Sequence, residues 1–233
     1  MEKKNNLKFL IYMMPENHIF EANELYLEQF NWNMSEAAFY KALERLVKEH
    51  TLIKLSKGLY ARPEKSKYGI ISPSEEEIVV NYTRNNKGIV IGYQLYNYLN
   101  ISTQVSKNIK IYCNKINQHT KTVGNIYIER REVEFSEEVC RVVEMLEILN
   151  NFNRIEDLNY NSFISLCEKF YNNYNEETTK YVLSKMHYSK RAIAFLQNIL
   201  NNYGVENSLG ENLSAFSTYS YPSMEEIYAL ARK

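Results

Sequence analysis

The stretch from Asn33 to Pro63 constrains this chain most, because the period of its apolar residues changes there from helical to alternating. Phe39, Ala42, Leu43, Leu46 and Val47 recur at i, i+3, i+4, i+7 and i+8, so they share one face of a helix of about four turns. Asn33 or Ser35 can accept its first free N–H groups, and Asn33 with Glu36 three residues on is the Asn variant of a capping box. The other face carries Ala37, Lys41, Glu44, Arg45 and Lys48. After His50 the pattern alternates: Leu52, Ile53 and Leu55, then Ser56-Lys57-Gly58, then Leu59, Tyr60 and Ala61 before Pro63. A glycine between two short apolar runs supplies the positive φ of a tight hairpin.

Charge is uneven along the sequence. The 28 basic and 28 acidic residues cancel overall, yet from Lys41 to Lys67 eight basic residues face only Glu44, Glu49 and Glu64. A neutral chain that gathers positive charge on one helix and hairpin has phosphates as its natural counter-charge. The bland alternative is a solvated helix face followed by an ordinary α+β hairpin. By segment the net charge is +2 for 1–68, +2 for 69–135 and −4 for 136–233. That gradient implies a nucleic-acid end and a different, more acidic end.

Upstream, Leu7 to Met13 reads as a short helix closed by Pro15. Phe20, Ala22, Leu25, Tyr26 and Phe30 give a second helix, with Phe30 and Trp32 expected in the core. Three helices and a hairpin of this size match a winged helix-turn-helix, whose third helix enters a major groove. In that geometry Ser35, Glu36, Tyr40, Lys41 and Arg45 reach base edges or phosphates. Lys48, Lys57 at the hairpin tip and Arg62 on the return strand hold the backbone.

A boundary is expected from Lys65 to Ser72, where no apolar period runs through. Ser74 with Glu77 then forms a capping box for a helix lined by Ile78, Val79 and Tyr82, and Lys87-Gly88 reads as its C-terminal stop. Ile89 to Ile91 is a short strand and Tyr93 to Leu99 a short helix. Ile109 to Cys113 and Ile126 to Glu129 are strands joined by a polar loop. The last third is helical. Ser136 caps a stripe of Val139, Val142, Val143, Leu146 and Leu149, and three further amphipathic segments run to Gly204 with short Asn-rich loops. Asn207 to Ser220 turns polar, and Ser223 caps a terminal helix.

The expected class is therefore α+β and mostly helical. It comprises a winged helix (1–68), a small α/β middle unit (69–135) and a C-terminal helical region (136–233) packed on the middle unit. Catalytic patterns are missing. Asp157 is the single Asp, and His18, His50, His119 and His187 fall in no HExxH or Cys/His spacing. The seven glycines form no phosphate loop. Cys113 with His119 is the nearest pair to a nucleophile site, and the three cysteines read as small buried hydrophobes. The reading is a non-enzyme with no metal and no cofactor. No apolar run approaches the roughly 18 residues that cross a bilayer, and no signal-peptide core opens the chain, so a cytoplasmic protein without a membrane partner is expected. Twenty tyrosines fit either stacking on single strands or half-buried filling, and filling is the simpler reading.

The segment "YKALERLVKEHTLIKLSKGLYARPEKSKYG" resembles the helix and wing of AbiEi-type antitoxins, whose pattern is an Ala-Leu-x-x-Leu helix, an apolar pair, a Lys/Arg-Gly-x-Tyr and a Pro. Those positions are Ala42, Leu43, Leu46, Leu52, Ile53, Lys57, Gly58, Tyr60 and Pro63. Further on, "ISPSEEEIVVNYTRNNKGIVIGYQLYNYLNISTQVSKNIKIYCN" is similar to that family's second segment, with Leu99, Ile101, Thr103 and Gln104 in place and Asn100 where a Gly is usual. The resemblance runs from residue 20 to residue 150. It implies the antitoxin of a type IV toxin-antitoxin pair that represses its own promoter at inverted repeats through the winged helix. It also implies that the remainder counteracts a nucleotidyltransferase toxin without a stable complex. The alternatives are a protein-interaction module and an RNA-binding regulator, both using the acidic helical region. The operator and the oligomeric state are open at this point.

Overall fold

Two groups of buried side chains organise the chain. In the computed structural model, which describes residues 6–214 and 217–232, they belong to two units. The first comprises Met1–Asn81 with Thr122–Ile126, and the second Tyr82–Lys121 with Tyr127–Lys233. The fold is α+β and predominantly helical.

In the first unit α1 (Leu7–Met13) is capped by the Asn6 side chain, which accepts from Lys8 N–H at 3.0 Å. Strand β1 (Ile19–Glu21) leads into α2 (Ala22–Gln29). The turn that follows is closed by Phe30 and Tyr26 carbonyls, and the Tyr26 hydroxyl donates to Met34 O at 3.0 Å. Next comes α3 (Glu36–Lys48), then β2 (Ile53–Ser56) and β3 (Leu59–Ala61). β3 lies at the centre of a three-stranded antiparallel sheet, with β1 and β2 on its two sides.

β1 was absent from the sequence reading. Its three residues carry no alternation to detect, and the strand exists only through its pairing with β3, Phe20 opposite Tyr60. Phe30 is buried as expected, but Trp32 is 67% exposed: it sits in the turn after α2, past the stripe that faces the core. The proposed boundary holds a second hairpin instead, β4 (Glu64–Ser66) paired with β5 (Gly69–Ile71). Helix α4 (Glu75–Thr83) has the expected capping box, with Ser74 N–H donating to Glu77 and Glu77 N–H donating to Ser74 Oγ at 2.7 and 3.2 Å.

Gly88 is not the stop of α4. Asn85 and Asn86 make that turn with φ of 56° and 58°, and Gly88 opens β6 (Gly88–Ile91). It is glycine for a steric reason, since a Cβ would stand 2.3 Å from the Tyr112 carbonyl oxygen. α5 (Tyr93–Tyr98), β7 (Ile109–Cys113), β8 (Thr120–Val123) and β9 (Ile126–Arg130) follow, giving a four-stranded sheet in the order β6-β7-β9-β8. β8 lies inside the expected polar loop. Its Thr-Lys-Thr-Val sequence has too few apolar residues to register as a strand.

The helical third is α6 (Glu137–Asn151), α7 (Tyr160–Asn172), α8 (Glu176–Lys185), α9 (Lys190–Asn202) and α10 (Met224–Ala231). Ser136 caps α6 as expected, and Ser223 closes a full capping box on α10. One continuous core joins Ile89, Ile91 and Tyr112 of the sheet to Leu146, Phe163, Phe195 and Ile227 of the helices. The strands and the helical region therefore share one unit and one core. The sheet and the helices bury their apolar faces against one another in this core. Among the described residues no helix is long and apolar enough to cross a membrane.

Candidate nucleic-acid interface

Helix α3 forms where its apolar stripe predicts, and Phe39, Leu43 and Leu46 are buried. Phe39 is gripped by Phe30 and Tyr26, with ring centroids 5.4 and 5.3 Å away. Burying that face fixes which residues stay outside. Lys41, Arg45 and Lys48 follow at i, i+4 and i+7 on the exposed side, and none has an ion-pair partner among the described residues. Arg45 and Lys48 also stand in the last turn, where they complement the helix dipole.

The first residue of the helix end is Ser35, not Asn33. Ser35 Oγ accepts from Ala38 N–H at 3.3 Å, so its O–H remains as a donor. Asn33 is two residues too early, its N–H bonded to Phe30 O at 3.1 Å, and the cap is made by Ser35 instead. At the other end Thr51 N–H bonds Leu46 O (2.9 Å) and His50 N–H bonds Val47 O (3.0 Å), the paired closure of a Schellman motif. That motif places His50 at φ 54°, a conformation that side chains rarely adopt.

Lys57 stands exposed at the tip of the β2–β3 hairpin beside Gly58, whose φ of 76° permits the two-residue turn. Lys54 is exposed on β2. Two expected residues have other duties. Tyr40 is half-buried, its ring edge-on to Phe39 at 5.6 Å, and burial, with Glu36 and Glu21 nearby, pushes its hydroxyl pKa up. Its ring serves the core.

Arg62 does not hold a phosphate backbone in this arrangement. Its guanidinium donates to the carbonyls of Tyr12 (2.8 Å) and Met14, tying the end of α1 to the segment just after β3. Those last carbonyls have no helical partner, and one guanidinium nitrogen, Nη1, donates to both.

The sequence reading missed the second hairpin as a surface. Lys65, Lys67 and Tyr68 are exposed on it, with Lys67 Nζ 4.9 Å from the Tyr68 ring centroid. Only Gly69 signalled a turn there, because both strands are three residues long. Between α1 and α3 lies a concavity of about 430 Å³ edged by Arg45 and the Lys8–Glu49 ion pair of 2.6 Å. No group of three or more His, Cys, Asp or Glu among the described residues is arranged to hold a metal.

Residues 21–148 match the model of a family described as a "Family of unknown function (DUF6088)", more than half of the chain. No curated protein matches. The crystal structure of the RV2827C protein from Mycobacterium tuberculosis aligns at 12% identity over 91% of this chain and 80% of that one, with a TM-score of 0.43.

Proposed function

The chain belongs to DUF6088, a family of unknown function, so its role has to be read from its own surfaces, and we propose a DNA-binding repressor of its own promoter built on a winged helix-turn-helix. In this reading α3 is the recognition helix and the β2–β3 hairpin the wing. The observation that carries it is the set of exposed cations, unpaired among the described residues, formed by Lys41, Arg45 and Lys48 on one helix face and Lys57 at the hairpin tip. Cations left without acidic partners on a chain of zero net charge are available to phosphates. Ser35 offers a hydroxyl donor at the helix start, where a recognition helix meets base edges.

The further role, as an antitoxin that counteracts a nucleotidyltransferase toxin without catalysis or a stable complex, rests on the resemblance of residues 20 to 150 to AbiEi-type antitoxins. DNA binding is the part that the surface supports directly.

Fluorescence anisotropy with the duplex upstream of the gene, against a scrambled duplex, tests the reading across a salt series. The Arg45→Ala/Lys57→Ala double variant is expected to bind about tenfold or more weakly, and to lose about two from the slope of log K against log salt. Equal binding by wild type and double variant at every salt concentration would remove the proposal.

A further inference from the structure

The second unit holds a cavity of about 450 Å³ whose lining includes the buried carboxyl of Glu147. Glu147 belongs to α6, where Met145, Leu146, Ile148 and Leu149 are all buried, and it is itself only 6% exposed. An acid in so apolar a setting destabilises the fold unless it is fully hydrogen-bonded, and burial pushes its pKa up. The Tyr112 hydroxyl donates to it at 3.0 Å. The buried Tyr188 hydroxyl lies against the same carboxyl.

The surroundings are held in place. Arg131 lies over the Tyr112 ring, 4.5 Å from its centroid, and pairs with Glu129 at 2.8 Å. Asn151 donates to the Glu147 carbonyl at 2.9 Å. Beside it Asn150 spends its side-chain oxygen on Ser189 N–H (3.2 Å), which leaves its NH₂ as a donor on the cavity wall. The floor thus presents a carboxylate acceptor next to an amide donor, the complement of the mixed donor and acceptor edge of a nucleobase. Tyr127, 40% exposed, lines the same cavity and offers an aromatic wall to a flat ring.

The rim has the opposite character. Lys110, Arg154 and His187 line it, all exposed and none in an ion pair among the described residues. A flat polar ring inside and an anion outside describe one kind of molecule. We propose that this cavity binds a nucleoside phosphate, base inward against Glu147 and Asn150, phosphate outward on Lys110 and Arg154. Its volume lies within the range of small-molecule sites. The inference is independent of the DNA-binding reading, which concerns the first unit.

Calorimetry on the full chain with AMP, GMP, CMP and UMP, each compared with its nucleoside and with ribose 5-phosphate, tests it. At least one nucleotide should bind with a Kd below about 1 mM, and at least tenfold more tightly than its nucleoside or ribose 5-phosphate. Glu147→Gln, which keeps shape and a hydrogen-bonding group, should weaken the nucleotide and the nucleoside about tenfold and leave ribose 5-phosphate unchanged. Arg154→Ala, on the surface, should weaken the nucleotide and leave the nucleoside unchanged. Absence of binding by all four nucleotides would overturn the proposal, as would nucleotide affinity indifferent to both substitutions.

Discussion

Helices α3 and α6 are of similar length, and they use charge in opposite ways. α3 buries one stripe, Phe39, Leu43 and Leu46, and keeps its cations in water with no ion-pair partner among the described residues. From Met145 to Leu149 α6 is buried on every side, and its Glu147 goes inside with the apolar residues. A charge on an exposed face is nearly free of energetic penalty and is open to a large polyanion. A charge inside a core destabilises the fold, which makes its presence informative about a smaller, enclosed ligand. The first unit therefore keeps these cations on its surface, and the second holds a carboxyl inside its cavity.

The largest test of this contrast removes the stripe that turns the cations of α3 outward. Phe39→Ala takes away a fully buried ring held by Phe30 and Tyr26, and is expected to destabilise by about 3–5 kcal/mol in urea unfolding. A loss below 1 kcal/mol would mean that α3 is not anchored by that face.

Arg62 sharpens the comparison within the first unit, because it is a cation used for packing. Arg62→Ala should lower stability by about 1–2 kcal/mol through the freed Tyr12 and Met14 carbonyls, and leave the salt slope of duplex binding unchanged. A salt slope reduced as much as by Arg45→Ala, with stability intact, would return Arg62 to the proposed DNA-facing set.

Glu147→Gln tests the inner charge. The folded carboxyl pKa is raised by burial above the ordinary 4.5, so the folded state favours the protonated form. Below pH 4.5 the carboxyl is protonated folded or unfolded and the ionisation penalty is absent. As pH rises past 4.5 the unfolded chain releases its proton first, and the penalty grows until the folded carboxyl ionises too. The glutamine variant should therefore match wild type in acid and exceed its stability by about 1 kcal/mol at pH 8, measured by thermal unfolding across pH. A constant difference at all pH values would show that ionisation of Glu147 plays no part.

The smallest effect concerns the end of α3. His50→Gly relieves the left-handed residue at the Schellman turn and should stabilise by about 0.5 kcal/mol, the strain relieved being partly offset by the greater freedom of glycine in the unfolded chain. A destabilised variant would indicate that the His50 side chain, rather than its backbone, is what the turn uses.

Much of the α3 region was legible without coordinates. Its stripe, the hairpin around Gly58 and the caps at Ser74, Ser136 and Ser223 are local patterns, set by residues three or four apart. The exposed placing of Lys41, Arg45, Lys48 and Lys57 follows from the same periods. Glu147 was not legible as a site residue, since a glutamate inside "VVEMLEILN" reads as the polar position of an amphipathic helix. Its burial depends on sheet strands and helices that approach from far along the chain.

Local pattern thus determined where the helices run, where the first wing-like hairpin turns and which cations point outward, because helical and strand periods are written in neighbouring residues. Tertiary structure alone decided that β1 joins β3, that Arg62 clamps α1, that Trp32 stays outside and that Glu147 is enclosed. Each of these depends on the pairing or packing of groups distant in sequence, and no short-range period encodes such contacts.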